Sequence, residues 1–134
     1  MSHLRRMILL LGTLVIGASG CSDGNGQSEA QRIGLGAECL LGMDCGEGGE
    51  LDCIPFDGGY CTSSGCQALG CPDGSLCARD AILGQTFCML SCESAEDCNS
   101  NRSDENAAEC TSSIEILDEV EGAKVCVPPA NLPS

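Results

Sequence analysis

Thirteen of the 134 residues are cysteine, a side chain that can serve as nucleophile, metal ligand or half of a disulfide. Twelve of them form three groups of four: Cys39, Cys45, Cys53, Cys61; Cys66, Cys71, Cys77, Cys88; and Cys92, Cys98, Cys110, Cys126. The groups begin 27 and then 26 residues apart, a near-constant step that marks an internal repeat. A catalytic thiol needs a base beside it, and the only histidine, His3, falls in the leader described below. Zinc sites are built from close Cys-x-x-Cys pairs, and none occurs among the twelve. Disulfide formation is the chemistry this pattern serves.

The carboxylates are the second candidate set. From Asp97 to Glu105 oxygen-bearing side chains recur at alternating positions, as they do in a calcium loop. Two positions depart from an EF-hand. Arg102 stands where the turn glycine belongs, and Ala108 occupies the closing glutamate position, with Glu109 one place late. There is no glycine-rich phosphate loop in a strand-to-helix setting. A polar surface accounts for the acids, so the sequence predicts a non-enzymatic protein with no catalytic set, no metal site and no cofactor. A calcium-binding envelope module around Asp97 is the alternative.

The elements that carry these residues are bounded by composition. With two Phe, one Tyr and no Trp, the side chains that dominate most cores are nearly absent. Eighteen Gly and thirteen Cys suit a turn-rich disulfide scaffold. Bridges worth roughly 2–4 kcal/mol each replace the missing core by restricting the unfolded chain. Such density implies an oxidising compartment.

The N-terminus reads as an export signal over 1–20. Arg5 and Arg6 give the positive start, Met7 to Ile16 the apolar run, and Gly17-Ala18-Ser19-Gly20 the small-residue cleavage region. The run is short for a retained membrane helix, which needs about 20 residues. The sequence around the Arg pair fits a twin-arginine signal poorly. Ala18-Ser19-Gly20-Cys21 resembles the lipobox of bacterial lipoprotein precursors, which ends in small residues and the cysteine that is acylated. That resemblance covers the first 21 residues, and Ala18 stands where Leu is usual. It implies lipidation of Cys21 with acyl chains such as palmitate, and attachment to a membrane. Ser22 rather than Asp after the cysteine implies the outer membrane, on its periplasmic or surface face. Cysteine arithmetic agrees, because setting Cys21 aside leaves an even twelve. A secreted protein with one spare thiol is the rival.

The segment 21–36 is polar and glycine-rich up to Gln31 and is expected to be a flexible tether. Modules at 37–65, 66–91 and 92–134 follow, the last with a C-terminal tail. In each, the third and fourth cysteines flank a turn-rich connection, as in Leu51-Asp52-Cys53-Ile54 and Tyr60-Cys61-Thr62 around Pro55 to Gly59, which is a hairpin signature. The first two cysteines are placed on loops. In module three, the alternation at Ile114-Glu115-Ile116 is expected to lengthen its own hairpin. Little helix is expected outside the signal peptide.

Four cysteines allow three pairings. Joining the first two to each other closes a very short loop and leaves the hairpin unattached. First-to-third and second-to-fourth pairing pins the loop across both strands and is favoured, though spacing leaves the alternatives open. Met43-Asp44-Cys45 and Glu96-Asp97-Cys98 resemble small extracellular cysteine-rich repeats such as EB-type and Dickkopf-like modules, which implies an architecture and no activity.

Beyond the leader, Arg32, Arg79, Arg102 and Lys124 face all twenty acids, a formal charge of −16. This excludes nucleic acid and anionic headgroups as partners of the folded part. The expectation is a lipid-anchored envelope protein with a disulfide-stabilised interaction or structural region and an unknown protein or envelope partner. A protease-inhibitor-like module is a second alternative, with Asp80–Gln85 as its candidate loop.

Overall fold

The computed structural model describes residues 26–46 and 48–129. The expected signal peptide over 1–20, Cys21, Ser22 and residues 130–134 lie outside the described residues. The protein is a small, disulfide-rich fold of short hairpins, loops and single helical turns. The first hairpin pairs β1 (Asp52–Ile54) with β2 (Tyr60–Thr62). After the helical turn α2 (Cys66–Leu69), β3 (Ser75–Arg79) pairs with β4 (Thr86–Leu90). The helical turn α3 (Ala95–Cys98) leads to β5 (Glu109–Thr111), a two-residue β6 (Glu115–Ile116) and β7 (Val125–Val127), with β5 and β7 forming the third hairpin.

One register rule runs through all three hairpins. The third and fourth cysteines of each group are directly opposed across the strands: Cys53 with Cys61, Cys77 with Cys88, and Cys110 with Cys126. Opposed residues share one face of an antiparallel pair. Both sulfurs therefore point to the same side of the hairpin, where the preceding loop lies.

Three expectations from the sequence change. The tether ends earlier than 36. Ser28 caps a helical turn α1 (Glu29–Arg32): its Oγ accepts from the Gln31 N–H at 3.3 Å, and Gln31 Oε1 accepts from the Ser28 N–H at 2.9 Å. Ala30 and Leu35 are buried, and the Ala30 N–H donates to the Asp73 carbonyl at 2.9 Å. Ser28 also presses so closely on Gly74, at φ +89°, that a Cβ there would clash with it. A capping box and two apolar residues suffice to fold a segment that is polar on average.

The loop cysteines are the second change, since Cys45, Cys66 and Cys98 sit in single helical turns rather than irregular loops. The third concerns Ile114-Glu115-Ile116. Instead of lengthening module three's hairpin, β6 adds to the free edge of β3, opposing Ala78 with Ile116 and Arg79 with Glu115. Arg79 Nη1 then reaches both Glu115 carboxylate oxygens at 3.0 and 3.1 Å. Pairing satisfies backbone groups that an exposed edge would leave to water, and brings Ile116 and Leu117 onto the core.

The modules are fused by other contacts as well. The Cys88 N–H donates to the Ser63 carbonyl at 3.1 Å, and Ser91 forms an antiparallel bridge with Val125. A single core gathers Tyr60, Phe87, Met89, Leu90 and Val125 from all three modules. Phe56 meets Tyr60 and Phe87 edge to face at centroid distances of 6.1 and 6.3 Å. Among the described residues, eight of the eighteen buried apolar side chains are cysteines, so the bridges are a large part of the core as well as its crosslinks.

Candidate functional site

The twelve module cysteines form six pairs at bonding distance: Cys39–Cys53, Cys45–Cys61, Cys66–Cys77, Cys71–Cys88, Cys92–Cys110 and Cys98–Cys126. Each pairing is first-to-third or second-to-fourth, and none crosses between modules. Within a module the two bridges lie side by side: sulfurs of Cys39, Cys45 and Cys53, for instance, all fall within 4.8 Å. A thiol engaged in a disulfide offers neither a nucleophile nor a metal ligand. Among the described residues, every group of three metal-ligating side chains consists of these bridged cysteines.

The loop read as a calcium candidate is organised differently. Asp97 Oδ2 accepts the backbone N–H groups of Glu93 and Ser94 at 2.9 and 3.0 Å. Those two bonds hold the Asp97 carboxyl below its usual range. The Asn99 side chain accepts from the Ala108 N–H at 2.8 Å and donates to the carbonyls of Ala95 and Ala108. Arg102 at the turn position is buried. Asp97 Oδ2 and Asn99 Oδ1 are thus engaged with backbone, and Asp104 and Glu105 are exposed.

Asp44 repeats the Asp97 device in module one. Its Oδ2 accepts the N–H groups of Leu40 and Leu41, both at 2.9 Å, which lowers its pKa in the same way. The aspartate before the second cysteine therefore has a structural cause: it ties down the two residues that follow the first cysteine. Module two has no aspartate before Cys71 and one residue fewer, and its helical turn starts at the first cysteine, over Cys66–Leu69, rather than ending at the second.

Asp80–Gln85 is a closed turn. The Asp80 carboxylate accepts from the N–H groups of Ile82 and Leu83 at 2.9 and 2.6 Å, and its carbonyl accepts from the Gly84 N–H at 2.9 Å. A protease cleft reads an extended strand, and this loop presents a turn with Ile82 exposed at its tip.

Sequence reasoning missed two features. Arg102 joins the modules: Nε donates to the Asn106 carbonyl at 2.8 Å, Nη1 to those of Gly36 and Gly59 at 3.1 and 2.9 Å, and Nη2 to Asp57 at 2.9 Å. Its guanidinium also lies 5.9 Å from the Tyr60 ring centre. The other feature is an apolar tip, Leu40, Leu41 and Met43, which are 89%, 60% and 80% exposed. The scarcity of arginine in an acid-rich chain is the one signal that pointed to Arg102. The run of apolar residues between two cysteines signalled the tip, although such a run reads equally well as core.

Comparison with known proteins finds no matching family model, no matching curated protein and no matching solved structure. The functional reading therefore rests on the chain's own residues.

Proposed function

We infer that this is a non-enzymatic, lipid-anchored protein of the cell envelope, whose disulfide-stiffened domain is an interaction or structural element. The observation that carries the reading is Cys21. It follows an apolar run and Ala18-Ser19-Gly20, and it is the one cysteine left over when the other twelve pair among themselves. Lipid would supply location, with Ser22 favouring the outer membrane, and the bridges would supply a preformed surface. Rigid surfaces lose little entropy on binding, which suits recognition by a domain with a small core.

Intact mass of protein extracted from membranes tests the reading. The expected species begins at Cys21 and carries a diacylglyceryl-type adduct, and Cys21→Ser abolishes both the adduct and membrane association. An unmodified soluble form beginning elsewhere sinks the anchor. Hydrolytic turnover by the purified protein sinks the non-enzymatic assignment.

A further inference from the structure

The turns at Cys39–Cys45 and Cys92–Cys98 are built alike, and comparing them isolates one surface. Both have seven residues, both end in Asp-Cys, and in both the aspartate accepts the two N–H groups that follow the first cysteine. Where module one carries Leu40, Leu41 and Met43, module three carries Glu93, Ser94 and Glu96. The turn therefore forms with polar residues at all three positions, and nothing in its construction calls for apolar ones. Three large apolar side chains within four residues, this exposed, form the densest such cluster on the described surface.

The tip is also suited to leaving water. Its Leu40 and Leu41 N–H groups are already bonded to Asp44, and the Asp44 N–H donates to the Leu41 carbonyl at 3.0 Å. Backbone groups satisfied internally lower the cost of entering an apolar phase. Bridges at Cys39 and Cys45 fix the tip to the hairpin, so little order is lost on insertion.

Chain length says what lies within reach. Seven peptide steps separate Cys21 from Ser28, where the fold begins, and they span at most about 25 Å. The turn α1 adds roughly 6 Å along its axis. Its far end abuts the base of the tip, where Ile33, Cys45 and Gly46 line one depression. A bilayer holding an acyl chain on Cys21 is thus close enough to meet the tip.

We propose that Leu40, Leu41 and Met43 insert into the lipid surface that holds the anchor and seat the domain against the bilayer. This rests on the lipid-anchor reading. The lipid is zwitterionic, because a domain of charge −16 is repelled by anionic headgroups. The tip enters the headgroup–acyl boundary, about 5–10 Å deep.

The chain has no tryptophan, so Leu41→Trp in the full lipidated protein is a single fluorescent reporter. The probe is a vesicle of phosphatidylethanolamine and phosphatidylcholine, with and without bromine on the upper acyl carbons. The expected result is blue-shifted emission quenched about twofold by the brominated lipid. Ile82→Trp, at another exposed apolar site, should stay unquenched, and anionic lipid should weaken the Leu41→Trp signal. Leu40→Trp is the substitute reporter if Leu41→Trp fails to form six bridges. Vesicle flotation separates the failures. Protein that floats with an unquenched tip overturns the insertion, keeps the anchor and leaves the tip to a protein partner. Equal quenching at Ile82→Trp overturns insertion by the tip. Protein that does not float overturns the anchor, and the insertion falls with it.

Discussion

Nη1 of Arg102 lies 2.9 Å from the carbonyl oxygen of Gly59, a hydrogen bond that carries a charge from module three into the hairpin connection of module one. Gly59 has φ +69°, and its missing Cβ leaves room for the Cys39 backbone, so the carbonyl is aimed by a turn that only glycine makes without strain. Three further donations, to Gly36, Asp57 and Asn106, make one guanidinium the junction of two modules and the segment after α1.

Arg102→Ala is expected to destabilise the fold by about 3 kcal/mol, because several carbonyls lose a charged donor at once. Arg102→Lys should recover only part of the loss, since an ammonium cannot reproduce the planar fork. Urea unfolding followed by tyrosine fluorescence measures both. A change within about 0.5 kcal/mol, the usual range for surface substitutions, would refute the junction.

The six bridges predict a specific peptide map under non-reducing conditions, and a fragment joining cysteines of two modules would contradict it. Replacing both Cys39 and Cys53 by serine opens a link between residues 14 apart and should cost about 3 kcal/mol. Full reduction should unfold the domain, because eight of its buried apolar residues are cysteines. Hydrogen exchange of the reduced, alkylated protein reads the outcome.

Asp44, Asp97 and Glu38 all have lowered pKa values. For Asp44 and Asp97 the main cause is the backbone N–H groups they accept, and for Glu38 it is the Ser103 hydroxyl and then the Ser103 N–H. A depressed folded-state pKa contributes stability that is present above the ordinary values of 3.8 and 4.5 and is lost as pH falls below them. Melting temperature should therefore drop on acidification through that window. In Asp44→Asn, Asp97→Asn and Glu38→Gln combined, the drop should be shallower. An equally steep acid limb in the triple variant would refute the assignment.

Tyr60 is fully buried and burial pushes its hydroxyl well above the usual 10.0, against smaller opposing effects of the Leu90 N–H and Arg102. A tyrosine kept neutral in the fold makes stability fall as pH rises past 10.0, where the unfolded chain ionises. It is the only tyrosine, so absorbance near 295 nm should show no ionisation until the protein unfolds. Tyr60→Phe removes the acceptor of the Leu90 N–H, 3.1 Å away, and should cost about 1–3 kcal/mol. A simple titration at the ordinary value in folded protein would show the ring is open to water.

Cysteine spacing by itself determined the fold class and pointed to a hairpin in each group of four, because a repeat of four cysteines leaves few ways to close short loops. It favoured the pairing that the structure adopts but could not exclude the others, since opposed cysteines such as Cys53 and Cys61 are as near in sequence as bridged ones. The apolar run and small residues before Cys21, with the odd cysteine count, carried the envelope reading. Only the tertiary structure decided how the modules join. A two-residue strand such as β6 has too short a pattern to name its partner, and its choice of the β3 edge rests on a free row of backbone groups in another module. Arg102 read as a misfit in a calcium loop because its acceptors, Gly36, Asp57 and Gly59, are 43 to 66 residues away. Leu40, Leu41 and Met43 read as apolar without revealing which side of the fold they face. Contacts between distant backbone segments, and the exposure of a side chain, are set by packing and leave no local pattern in the chain.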